Sequence, residues 1–165
     1  MDAHGIMAFC KWLEETPVGA SVRESLWLFP IIETVHLLGM AALVGTISAF
    51  DLRLLGWALR GTRVSELAKR LIPWAWAGFA VQVITGGMLF SSEATKMYGN
   101  PAFRVKMLLI FLAGLHALIF HFAVRRNVAA WDDSRRLPLG AKVAGAVSIL
   151  IWAGVVAAGR FIGFV

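Results

Sequence analysis

Four apolar stretches dominate the pattern of hydrophobic and polar positions along the chain: Leu26–Phe50, Ile72–Phe90, Phe103–Val124 and Ala141–Phe164. Each is near the ~20 residues that a helix needs to cross a bilayer. None shows the strict alternation of a membrane β-barrel, so the backbone must satisfy itself as helix. Prolines punctuate the stretches. Pro30 falls in the first turn of the first span, Pro73 opens the second, and Pro101 and Pro138 precede the third and fourth. The first helix is expected to run on through Asp51-Leu52-Arg53 to about Leu59 and to end near Gly61. Before the first span, Ile6, Phe9, Cys10 and Leu13 alternate at helical spacing with Lys11, Glu14 and Glu15 until Thr16-Pro17. That pattern predicts a short amphipathic helix within an interfacial segment, residues 1–24. The expected fold is all-α: a four-transmembrane-helix bundle, 1–165, forming a single integral membrane domain.

Composition strengthens this reading. The chain is 59% hydrophobic and 16% charged, with mean hydropathy +0.73, whereas soluble domains are about a quarter charged. The single cysteine, Cys10, excludes an internal disulfide and a cysteine-based metal site. No signal peptide is read in the first 24 residues, which carry four acids and lack an apolar core.

The net charge of +6 is concentrated in loops. Arg53, Arg60, Arg63, Lys69 and Arg70 lie between spans one and two, and Arg125, Arg126, Arg135, Arg136 and Lys142 between spans three and four. Positive loops face the cytoplasm, so both termini are expected on the periplasmic side of a bacterial inner membrane. The same charges suit anionic lipid head groups. They flank spans and belong to no nucleic-acid-binding motif, so no nucleic acid is expected. Trp27, Trp57, Trp74, Trp76 and Trp131 fall near span ends, as an aromatic belt would place them, while Trp152 is at mid-span.

Ionisable residues inside a membrane are costly and mark candidate sites. They are Glu33 and His36 in span one, Lys106, His116 and His121 in span three, and Arg160 in span four; span two offers only Gln82 and Thr85. At 1.5 Å rise per residue, counted from the span starts, His36 lies roughly 15 Å and His116 roughly 20 Å below the outer face. Two histidines at similar depth on separate helices suit the axial nitrogens of a b-type haem. On this expectation His36 and His116 are the metal ligands, and Lys106 and Arg160 hold the anionic propionates. Glu33, one turn from His36, is a second group or proton acceptor. His121, rotated about 140° from His116, is the weaker ligand. Small residues (Gly39, Ala41, Ala42, Gly45; Gly78, Gly86, Gly87; Ala113, Gly114) permit close helix approach or a flat ring.

Blander alternatives stand beside this. Intramembrane histidines also serve as interhelix hydrogen-bonding residues, Glu33 and Lys106 could neutralise one another, and Arg160 could snorkel to the head groups. Met40, one turn from His36, with Met88 and Met107, leaves a copper(I) site conceivable. No phosphate-binding glycine loop, nucleophile elbow or zinc-protease motif is present.

The segments Glu33-Thr-Val-His36-Leu-Leu-Gly39-Met, Phe50-Asp-Leu-Arg53-Leu-Leu-Gly56 and Ala158-Gly-Arg160-Phe-Ile-Gly-Phe164 resemble those of a group of small bacterial four-helix membrane proteins of unknown function. More distantly, a helix-one histidine followed by Lys106 and His116 is similar to HemJ-type protoporphyrinogen oxidase, and the helical plan to CopD-type copper-resistance membrane domains. Those resemblances imply a porphyrin or a metal at the helix interface. Around Lys106, Arg104-Val-Lys106-Met departs from the HemJ pattern. The expected function is thus a haem b cytochrome passing electrons to quinone or a redox partner protein. The alternatives are porphyrinogen oxidation, or a copper-handling or anchoring subunit without haem. A homo-oligomer is an open possibility.

Overall fold

The computed structural model describes residues 3–124, 132 and 137–165. They form helices α1 (Ala3–Glu14), α2 (Pro17–Glu24), α3 (Leu28–Leu55), α4 (Val64–Ser92), α5 (Ala94–Gly99), α6 (Pro101–Ile119, continued by a π-turn, Phe120–Val124) and α7 (Leu139–Phe161). The long helices α3, α4, α6 and α7 are each long and apolar enough to cross a membrane. The chain is a multi-pass membrane protein with an all-α fold.

Their boundaries follow local chemistry. Gly56 ends α3 in the left-handed region (φ +75°), with its N–H on the Arg53 carbonyl, so the helix stops short of Leu59. Leu59 itself has φ +54° and belongs to the turn. α4 begins at Val64, not at Pro73, which lies inside it. Helix continues upstream of the proline because Val64, Leu67 and Ala68 bury against the neighbouring elements. Asn100 caps α6, accepting from Phe103 N at 3.1 Å, with Pro101 in the first turn.

The interfacial segment is two helices. Thr16 does not end the order; its Oγ1 accepts from Gly19 N at 3.2 Å and caps α2. Gly19 is required there, because a Cβ would stand 2.6 Å from the backbone oxygens of both Leu13 and Ser91. Glu14 Oε1 accepts from Thr95 N at 2.7 Å, tying α1 to α5. Asn100 Nδ2 donates to the carbonyls of Ile162 and Val165 at 3.1 and 2.8 Å. These contacts gather α1, α2, α5 and the two chain ends at one end of the bundle. At the other end, Asp132 accepts from Ser65 N (2.8 Å) and Ser65 Oγ (2.5 Å), so the link between α6 and α7 caps α4. Arg125, Arg126, Trp131, Arg135 and Arg136 lie outside the described residues.

In the bundle α3 is central, packed on α4 on one side and α7 on the other, and α6 packs on α7. Glycines set the crossings. A Cβ at Gly78 of α4 would meet Leu43 N at 2.9 Å and Gly39 O at 3.0 Å on α3. One at Gly145 of α7 would meet Asp51 O at 2.9 Å, and one at Gly154 would meet Leu109 Cδ1 of α6 at 3.0 Å. Gly45, Gly87 and Gly114 have nothing within 4 Å of that position. Of the small residues expected to bring helices together, Gly39, Gly78 and Gly86 do so. α4 and α6 make no extended contact but meet through the stacked rings of Phe90 and Phe103, 5.4 Å between centroids.

Candidate functional site

His36 is held by α4. Its buried ring places Nδ1 2.8 Å from Thr85 Oγ1, and its Cε1 lies 3.2 Å from where a Cβ of Gly86 would stand. The Thr85 hydroxyl donates its single proton to the Val81 carbonyl at 2.6 Å. The threonine oxygen can therefore only accept from His36, which puts the imidazole proton on Nδ1 and a lone pair on Nε2. Gln82 Nε2 donates to the His36 backbone carbonyl, where it adds a second α4 tether. Helix α4, whose only polar candidates from the sequence were Gln82 and Thr85, thus supplies both groups that orient this histidine.

Lys106 approaches from the other side. It lies on α6 against α7, with Cδ, Cε and Nζ each 3.8 Å from the Cβ position of Gly159. It is close enough to His36 for its charge to act on the imidazole. Among the described residues it has no ion pair or hydrogen bond. A lysine without a partner among the described residues and a tethered histidine thus stand at the same end of two membrane-spanning helices, where ionisable groups are costly. Arg160 follows Gly159 but is exposed, its guanidinium 5.0 Å from the Phe164 ring centroid. Glu33 is exposed and does not pair with Lys106.

His116 stands elsewhere. It is half-buried on α6 and hydrogen-bonds the backbone of Ala144 near the start of α7. The helix register converts this into depth. Asp51 of α3 abuts Gly145 of α7, so His36, about 22 Å further along α3, is level with the Gly159–Arg160 region. That is where Lys106 packs. His116, beside Ala144, is level with the Asp51–Leu54 turn instead. The separation of His36 and His116 along the bundle is roughly 15–20 Å. Axial nitrogens on one iron are about 4 Å apart, each ~2 Å from the metal. The structure therefore brings His36 and Lys106 together and does not bring His36 and His116 onto a shared iron. Counting depth from span starts treated α3 and α6 as beginning level; in the register through α7, α3 begins higher. His121 is exposed, edge-on to Phe122 with centroids 5.2 Å apart.

A b-type haem asks for an axial nitrogen with a free lone pair, cations for two propionates, and room for a flat apolar ring. Nε2 of His36 meets the first requirement, and Lys106 supplies a cation for one of the two propionates. Gly86 meets the third in part, keeping the α4 side of the imidazole thin. Among the described residues no group of three or more His, Cys, Asp or Glu converges on a metal position. Met40 is half-buried and Met107 is exposed on the bundle surface.

A second polar contact was not expected from the sequence. Asp51, read as lying beyond the span, is 4% exposed at the α3–α7 contact, with a hydrogen bond from Ser148. Its apolar flanks, Phe50 and Leu52, were the available signal.

Fold and site together define a four-span membrane protein with a histidine–lysine centre near the end that carries both termini. The chain belongs to a family of unknown function, DUF6644, whose model matches residues 11–165. Comparison with curated proteins and with solved structures found no match.

Proposed function

We propose that the chain binds a b-type haem in the bacterial inner membrane through His36 and passes single electrons between a donor on one face and quinone or a redox partner protein. The observation that carries this is the His36 tautomer: Nδ1 committed to Thr85, Nε2 free, and the unpaired Lys106 level with it. A metal-binding histidine characteristically gives its other N–H to a fixed acceptor. Bound there, haem would supply one-electron chemistry. His36 would hold the iron, Thr85 and Gln82 would orient the ring, and Lys106, with Arg160 at the membrane face, would neutralise propionates. The basic end, including Arg60, Arg63, Lys69 and Arg70, then faces the cytoplasm and both termini the periplasm.

The test is the optical spectrum of the purified protein, oxidised and dithionite-reduced. A Soret band is expected, lost in His36→Ala and kept in His116→Ala. No band in the native protein, or one that survives His36→Ala, overturns the reading.

The same pair favours one alternative. In that reading the His36 imidazole, with its free lone pair, would take a proton from a porphyrinogen whose carboxylate the Lys106 ammonium holds, the electrons passing to a quinone, as the resemblance to HemJ-type oxidases would imply. Turnover of protoporphyrinogen that disappears in Lys106→Met would favour that enzyme. Metal analysis showing copper without haem would favour the copper-handling reading instead.

A further inference from the structure

We propose that Asp51 and Ser148 form a proton-binding site at the α3–α7 contact, in which the Asp51 carboxyl carries a proton while the two helices are packed. It does not rest on the haem reading and concerns the opposite end of the bundle. Asp51 is buried, and its Oδ2 is sealed from solvent with no hydrogen-bond partner among the described residues. Ser148 of α7 bonds to the carboxyl through its side chain. An ionised carboxylate with one oxygen sealed and unpaired carries an uncompensated charge in an apolar contact, which protonation removes.

Among the described residues the surrounding charges do not supply that compensation. On its own helix Arg53 is two residues on, hence on the opposite side, and its Nε donates to the Thr62 carbonyl at 2.8 Å. From α7 the contact presents Ser148, while Lys142 lies nearer the start of the helix and is exposed. From α6, behind α7, His116 is bonded to the Ala144 backbone. At the matching level of α4, Arg70 pairs with Glu66 at 2.6 Å; Lys69 beside it is exposed, and Arg63 acts on Asp132.

The site is gated by helix packing. The Asp51 carbonyl oxygen is 2.9 Å from the position of a Gly145 Cβ, so α3 and α7 touch backbone to backbone. Water from the nearby end of the bundle reaches Oδ2 only when they part. The proton then leaves to that water, and its return is coupled to re-closure of the contact. Proton occupancy and α3–α7 packing are thus two faces of one equilibrium.

Infrared spectroscopy of the full-length protein in lipid nanodiscs at neutral pH tests this. The wild type should show the carbonyl stretch of a protonated carboxylic acid, moved in heavy water and missing in Asp51→Asn. Ser148→Ala should retain the band but move it, since a hydrogen bond to the carboxyl is lost. A carboxylic-acid region identical in wild type and a folded Asp51→Asn overturns the proposal. Should Asp51→Asn fail to fold, Ser148→Ala decides alone: a displaced band supports the site, and an unmoved or absent one overturns it.

Discussion

Replacing Gly78 by alanine tests whether the α3–α4 crossing, which carries His36, is set by backbone contact. The added methyl would stand 2.9 Å from Leu43 N, 3.0 Å from Gly39 O and 3.1 Å from Leu43 Cα. Ordinary van der Waals contact begins near 3.4 Å, so the helices must part locally by about 0.3–0.5 Å, less than the ~0.5–1 Å gap at which much of a contact's dispersion energy is lost. All three atoms belong to the α3 backbone, and no side-chain rotation relieves them. Overpacking of this kind costs about 1–3 kcal/mol. Gly87 is the control on the same helix, since a Cβ there meets nothing within 4 Å. Gly87→Ala reports the backbone effect of exchanging glycine for alanine in α4, and the difference between the two variants isolates the crossing. The assay is equilibrium unfolding in mixed micelles, followed by the fluorescence of the seven tryptophans. Gly78→Ala should be about 1–3 kcal/mol less stable than Gly87→Ala, roughly a 5- to 150-fold change in the unfolding constant. Equal stability of the two would refute the claim that this contact positions α4.

Two further outcomes follow from named contacts. Thr85→Val keeps the shape beside His36 but removes the acceptor for Nδ1–H; the orphaned donor should cost about 1–3 kcal/mol, and nitrogen NMR of the imidazole should change from the Nδ1–H form to a mixture. Asp132→Ala removes the cap on α4 and should cost about 0.5–1 kcal/mol, the low end because the carboxylate is only partly buried. Slight burial pushes the Asp132 carboxyl up, but hydrogen bonds from Ser65, the charge of Arg63 and the Val64 N–H outweigh it and hold the group below its ordinary 3.8. A depressed carboxyl stabilises above its unfolded value and loses that contribution as pH falls. The stability gap between wild type and Asp132→Ala should therefore be steady near neutrality and close below pH 3.8.

The spans were legible because a bilayer imposes length and apolarity on every residue of a crossing, and four such stretches stand in the chain whatever their packing. The histidine–lysine centre was legible only in part. Glu33, His36, Lys106, His116 and Arg160 announce themselves as costly groups in apolar helices, but cost says nothing about which of them meet. Meeting depends on register, and register is set by close approach at glycines: Gly78 on the Leu43 backbone, Gly145 on the Asp51 backbone, Gly154 on the Leu109 side chain. Those contacts raise α3 relative to α6, which sets His36 beside Lys106 and leaves His116 a long way below. The orienting groups were harder still. Thr85 and Gln82 are uncharged and cheap to bury, so they carry no signal until His36 is seen to need them. The locked Nδ1 of His36 follows from a proton count at Thr85, one hydroxyl hydrogen already given to Val81. A residue with only one proton to give becomes an acceptor by necessity, and that necessity leaves the lone pair of His36 on Nε2.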